Sequence, residues 1–216
     1  MRLRMSTGRP LARSIDGRTD RRGWRETGAA LVEFAFVSLI LIGLVAGAWD
    51  YGRGWRAGLS ATEATRTGAR VASGQGKFVQ ADFAALTGMK ANLSSSGQID
   101  NVERVVIFRV TNTNGGTVPA LCKTSNAVAG CHIIGGDVFR AMSTTWNASH
   151  YTSTGCLAAA SGQGWCPTNR NATQLNADTV GVYVRLRQSN DFKIIGDSLT
   201  IERNAAMRIE PEESTG

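Results

Sequence analysis

The chain has 216 residues, 42% of them hydrophobic, and a formal net charge of +7. Five of those seven charges belong to residues 1–28, where eight Arg face Asp16, Asp20 and Glu26. The remaining residues carry only +2, so no basic folded face of the kind that holds nucleic acid is expected, and no nucleic acid partner.

Residues 1–28 are polar, Arg-rich and without apolar periodicity, and read as a disordered basic leader. At its end stands Gly28-Ala29-Ala30-Leu31-Val32-Glu33-Phe34, one carboxylate at the head of an apolar run with no charge from Phe34 to Trp49. As a helix, residues 29–49 measure roughly 31 Å at about 1.5 Å per residue, matching the roughly 30 Å hydrocarbon core of a bilayer. A single transmembrane helix over 29–49 is therefore expected, with Glu33 near the end where a charge costs least. Arg21, Arg22 and Arg25 before the span favour a cytoplasmic N-terminus and an extracytoplasmic C-terminal domain, although Arg53 and Arg56 beyond it dilute the asymmetry.

The helical pattern continues past Trp49 as a stalk over 50–73. Gly58, Ala61, Thr65, Gly68 and Ala72 recur at spacings of 3, 4, 3 and 4, a seam of small residues that permits close approach. Two readings of the seam stand equal: it meets another helix, or it packs on the protein's own sheet. Ser73-Gly74-Gln75-Gly76 then breaks the helix.

Residues 77–216 are long enough to bury a single core. Val79, Phe83, Leu86, Met89 and Leu93 predict a short amphipathic helix over 78–93, and the Val, Ile and Phe of 102–111 predict a strand. Val180, Val182, Val184 and Leu186 alternate with Gly181, Tyr183, Arg185 and Arg187, the cleanest half-buried strand. Leu199, Ile201, Ala205, Met207 and Ile209 suggest a last strand, with Arg203 out of pattern. Between them, 112–178 is a stretch of Thr, Asn, Ser and Gly too long for a bare loop unless it is stapled or carries its own structure.

All four cysteines, Cys122, Cys131, Cys156 and Cys166, lie in that stretch. An exported domain holds its cysteines oxidised. Of the three possible connectivities, the sequential pairs Cys122–Cys131 and Cys156–Cys166 close the shortest loops and are preferred. A zinc site with His132 and His150 is the competing arrangement, but no interval has metal-ligand spacing, so no metal is expected.

The residues around Gly28 resemble those of the TadE-like family, minor pseudopilins of the tight-adherence (Flp-type) branch of type IV pilus systems. In that family a basic leader ends in Gly, a prepilin peptidase cuts after it, and the fifth mature residue is Glu followed by an aromatic. The resemblance implies a cut between Gly28 and Ala29, with Glu33 fifth and Phe34 sixth, and assembly with other pilin or pseudopilin subunits through Glu33 and Phe34. It continues through Ala64-Thr65-Arg66-Thr67-Gly68-Ala69-Arg70-Val71-Ala72 and recurs at Ala206-Met207-Arg208-Ile209-Glu210-Pro211. Trp165-Cys166-Pro167-Thr168 and Gly181-Val182-Tyr183-Val184-Arg185 are similar to actinobacterial members more loosely. The expected fold is α+β and pseudopilin-like: a long N-terminal transmembrane helix extending into a stalk, packed on a small antiparallel sheet with a disulfide-stapled loop region.

Catalytic signatures are weak. Gly115-Gly116 lacks the Lys-Ser/Thr of a phosphate loop, and Gly135-Gly136-Asp137 continues Val138-Phe139 without the acid that a cyclic-dinucleotide synthase needs. Trp165-Cys166-Pro167 has no second cysteine at the C-x-x-C interval. No cofactor is implied, and a non-enzyme is expected. Three other readings compete: a secretory signal peptide cut at Ala46-Gly47-Ala48, an uncleaved anchor displaying an extracytoplasmic binding domain, and a secreted hydrolase.

Overall fold

The computed structural model describes residues 21–193 and 196–211, with side chains described from Gly28 onward. The chain divides into two compact units, Met1–Leu44 and Val45–Gly216. A single helix, α1 (Arg21–Gln75), contributes to both. No proline interrupts it, and it ends where Gly76 takes φ +54° and donates its N–H to the Ala72 carbonyl, a left-handed stop that glycine adopts without steric cost.

α1 is already helical at Arg21, the first described residue and eight residues before the helix start expected at Ala29. Residues 21–28 carry Arg and Glu, both good helix formers, and adding turns to an existing helix costs far less than nucleating one. Residues 1–20 of the leader lie outside the described residues. In the first unit the described residues are helix alone, and the large apolar side chains from Leu31 to Leu44 are 54% to 70% exposed. That exposure is the surface of a helix built for an apolar solvent or for neighbours.

The second unit is α+β. After α1 come α2 (Ala81–Ser95), β1 (Val102–Val110), α3 (Ala120–Thr124), β2 (Cys131–Gly135), α4 (Gly136–Ala141), β3 (Gly162–Gln163), β4 (Thr179–Ser189) and β5 (Ser198–Arg208). The five strands form one antiparallel sheet in the order β3-β2-β1-β4-β5. Register is set by apolar residues meeting across the ladder: Val105 opposite Val184, Ile107 opposite Val182, Leu186 opposite Ile201. The 112–178 stretch is not a bare loop, since it supplies α3, β2, α4 and β3 and both disulfides.

One sheet face packs on α1 and α2. Val105, Ile107, Ile134, Val182, Val184 and Leu186 join Leu86, Met89 and Leu93 of α2 and Ala57, Ala61, Ala64, Ala69 and Ala72 of α1 in a single core. The opposite face is covered as well: Val106, Phe108, Ile133 and Tyr183 pack with Val118 and the Cys122–Cys131 bridge. This corrects the half-buried reading of β4. On its supposed polar side, Tyr183 is buried because it packs with Val118 and the Cys122–Cys131 bridge, and Gly181 is buried against the Phe108 ring. Gly181 is required there, because a Cβ would fall 2.3 Å from the Phe108 ring.

Candidate functional site

Gly28 and Ala29 are exposed and helical, at the head of the apolar run. Gly28 weakens the helix there by about 0.5 to 1 kcal/mol relative to alanine, so the backbone at this position opens more readily than an alanine would allow. Glu33 lies one helical turn beyond Ala29 and, with Phe34, is exposed. Among the described residues one helix, α1 over Gly28–Gln75, is long and apolar enough to cross a membrane, and only 6% of its most apolar window is buried.

The small-residue seam has a different fate. Ala57, Gly58, Ala61, Ala64, Thr65, Gly68, Ala69 and Ala72 are all buried, and their neighbours belong to the same chain. A Cβ on Gly54 would lie 2.6 Å from Leu199 Cδ2, one on Gly58 3.2 Å from Arg203 Nη2, and one on Gly68 2.7 Å from Met89 Cγ and Sδ. The seam is thus used by β4, β5 and α2, which decides between its two readings. Arg203, out of pattern in β5, is the residue laid over Gly58.

A buried ion cluster joins α2, β2 and the segment after β3, and nothing in the sequence marked it. Asp82, in the first turn of α2, is fully buried; its Oδ2 lies 2.6 Å from His132 Nδ1 on β2, and its Oδ1 accepts from Arg170 Nη2. Arg170 also donates through Nη1 to the Gly76 carbonyl (3.4 Å) and stacks over the Trp165 ring, 4.8 Å from its centroid. Leu157 donates its backbone N–H to His132 Nε2 at 3.2 Å, so Nδ1 carries the proton given to Asp82. Burial opposes ionisation of Asp82, but the Arg170 charge and then the His132 hydrogen bond outweigh it and hold the carboxyl below its usual range. Burial, reinforced by the Asp82 charge, pushes the Tyr151 phenol up to about 12.

Asp82, His132 and Cys156 stand close enough to suggest a metal triad, but each donor is already engaged. The Cys156 sulfur is bonded to Cys166, Asp82 holds Arg170, and both imidazole nitrogens have partners. An imidazole whose two nitrogens are both hydrogen-bonded within the core has no free atom with which to take a substrate proton, so the cluster is a structural clasp. His150 lies elsewhere, exposed on the rim of a cavity of about 400 Å³ lined by Val138, Met142, Tyr151 and Leu157. Cys122 is joined to Cys131 and Cys156 to Cys166, leaving no free thiol.

The matched family bears on the exposed helix rather than on the clasp. Residues 28–70 match the family model for TadE-like protein. The TadE-like segment begins at Gly28, takes in Ala29, Glu33, Phe34, the apolar run and most of the seam, and ends before α2. The matched residues lie wholly within α1. No curated protein and no solved structure matches the chain. The similar motifs at 165–168, 181–185 and 206–211 lie outside the TadE-like segment.

Proposed function

We propose that this chain is a minor pseudopilin-like structural subunit of a tight-adherence pilus, and not an enzyme. Its N-terminus is cytoplasmic and its Cys-containing domain extracytoplasmic, and a prepilin peptidase removes the leader between Gly28 and Ala29. The observation that carries the reading is the division of labour along α1. Within the matched segment, the part of α1 before Trp49 keeps its large apolar side chains and Glu33 exposed, while the part beyond Trp49 spends its small residues on the protein's own domain. An apolar helix left open in this way is available to lipid first and to neighbouring subunit helices afterwards. Cleavage would create an amine able to meet Glu33 of a neighbour, a pairing favoured in lipid because either charge alone is costly there.

Intact-mass measurement on native protein extracted from membranes tests this directly. A mature chain beginning at Ala29, lost in Gly28→Leu, supports it, and Glu33→Ala then inserts but assembles poorly. A mature chain beginning at Met1 gives way to the second reading, an uncleaved anchor displaying a binding domain, for which the 400 Å³ cavity would be the place to look. A chain beginning near Trp49 is a signal-peptidase product and rejects both.

A further inference from the structure

Asp50 is the first charged residue after the apolar run, and it is not at the surface: only 1% of it is exposed. Its carboxylate accepts the backbone N–H of Asp191 (3.0 Å) and of Phe192 (3.3 Å), both in the connection from β4 to β5. Asp191 returns the contact, its Oδ2 accepting Trp49 Nε1–H at 3.3 Å and pairing with Arg53. Hydrogen bonds from Arg53 and then Trp49 hold the Asp191 carboxyl below its usual range. The β4–β5 tip is thus clasped to α1 over residues 49–53, about one helical turn, where the apolar run stops.

The clasp presents an exposed aromatic ring. Phe192 is 56% exposed at a loop tip, a place where polar residues are usual, and Lys193 beside it is the one non-glycine among the described residues with positive φ, at 56°. Trp49 and Tyr51 are 59% and 64% exposed, and Arg56 is exposed one turn further on. Exposed rings interleaved with cations at the end of an apolar helix have the chemistry of a bilayer interface, where rings lie among headgroups and ammonium or guanidinium groups reach phosphates.

We propose that residues 191–193, at the start of the β4–β5 connection, are a second membrane contact: Phe192 seats with Trp49 in the phospholipid headgroup layer on the side of the C-terminal domain. This rests on the reading of 29–49 as a membrane span. A lone helix leaves its domain free to turn about the helix axis, whereas a second interfacial anchor sets rotation and tilt. Asp50 is then a positioning residue that holds the tip at the right depth by its two backbone hydrogen bonds.

Because every native cysteine is in a disulfide, one introduced thiol can be labelled uniquely. The full chain is reconstituted in phosphatidylcholine and phosphatidylglycerol bilayers with a nitroxide on Phe192→Cys, on Ile40→Cys in the apolar run, or on Leu175→Cys. Leu175 is 90% exposed and follows Ala172, which lies against Gly76 at the far end of the α1 segment that begins at Val45. The ratio of oxygen to nickel-chelate collisions at 192 is expected to fall between the high value at 40 and the low value at 175. A ratio at 192 equal to that at 175, with 40 still lipid-embedded, overturns the second contact and leaves the span standing. Equal, water-like ratios at all three sites overturn both. Loss of collisions with both reagents at 192, growing with the protein-to-lipid ratio, assigns the tip to a second copy of the chain and also overturns the proposal.

Discussion

Asp82→Asn isolates the buried clasp, because it removes one charge while keeping the side chain's shape. The side chains of Asp82, His132 and Arg170 are all fully buried, so the substitution leaves the Arg170 guanidinium without its counterion in a site that water does not reach. The amide also presents N–H groups where the carboxylate accepted from two donors. Since Leu157 N–H occupies His132 Nε2, the imidazole cannot shift its proton to suit, and either Arg170 or His132 faces a donor. Removing one partner of a buried ion pair costs about 3 to 5 kcal/mol. The Trp165 face retains on the order of 0.5 to 2 kcal/mol of attraction for the guanidinium, which places the loss toward the lower end. At about 2 to 4 °C per kcal/mol for a domain of this size, melting should fall by roughly 6 to 12 °C. The assay is thermal unfolding of the full chain in detergent, followed by the near-ultraviolet circular dichroism of the buried Trp165.

The same pair makes a pH prediction of definite sign. The folded Asp82 carboxyl lies below its unfolded value, so its contribution is complete above about pH 4 and is lost as pH falls through the lower folded value. Wild type should therefore show an acid limb of destabilisation below about pH 4 that Asp82→Asn lacks in part. A variant within about 1 kcal/mol of wild type, the scale of an exposed pair, together with an unchanged acid limb, would refute the clasp.

Two further outcomes follow from the packing of α1 and from the bridges. Gly68→Val should destabilise by about 1 to 3 kcal/mol through overpacking, because even its Cβ falls 2.7 Å from Met89 and 3.2 Å from Val182. Pairing it with Met89→Ala should cost less than the sum of the single changes in a denaturation cycle, and strict additivity would show that the two do not touch. Non-reduced peptide mapping should return Cys122–Cys131 and Cys156–Cys166, and Cys122→Ser with Cys131→Ser should cost on the order of 2 to 3 kcal/mol. Four alkylatable thiols in the native protein would contradict the stapled structure.

Much of this architecture follows from local pattern. An apolar run of bilayer length needs no partner to be recognised, since its solvent requirement is written in consecutive residues. Alternation in 180–187 and 199–209 marks strands for the same reason, and short loops explain why Cys122 meets Cys131 and Cys156 meets Cys166. What lay across from these elements was not legible. A seam of Gly and Ala suits a helix or a sheet equally, and only the placement of Leu199, Arg203 and Met89 decided that α1 spends it within the chain. Of the alternates of β4, Tyr183 became core because Val118 and the Cys122–Cys131 bridge, 52 to 65 positions away, pack with it, and Gly181 because the Phe108 ring lies against it. His132 and Arg170 stand 50 and 88 positions from Asp82 in the sequence, and Asp50 meets Asp191 across 141. No periodicity encodes such pairings, because a buried charge can be tolerated wherever the fold supplies its counterion, and which residue does so is known only once the chain has closed on itself.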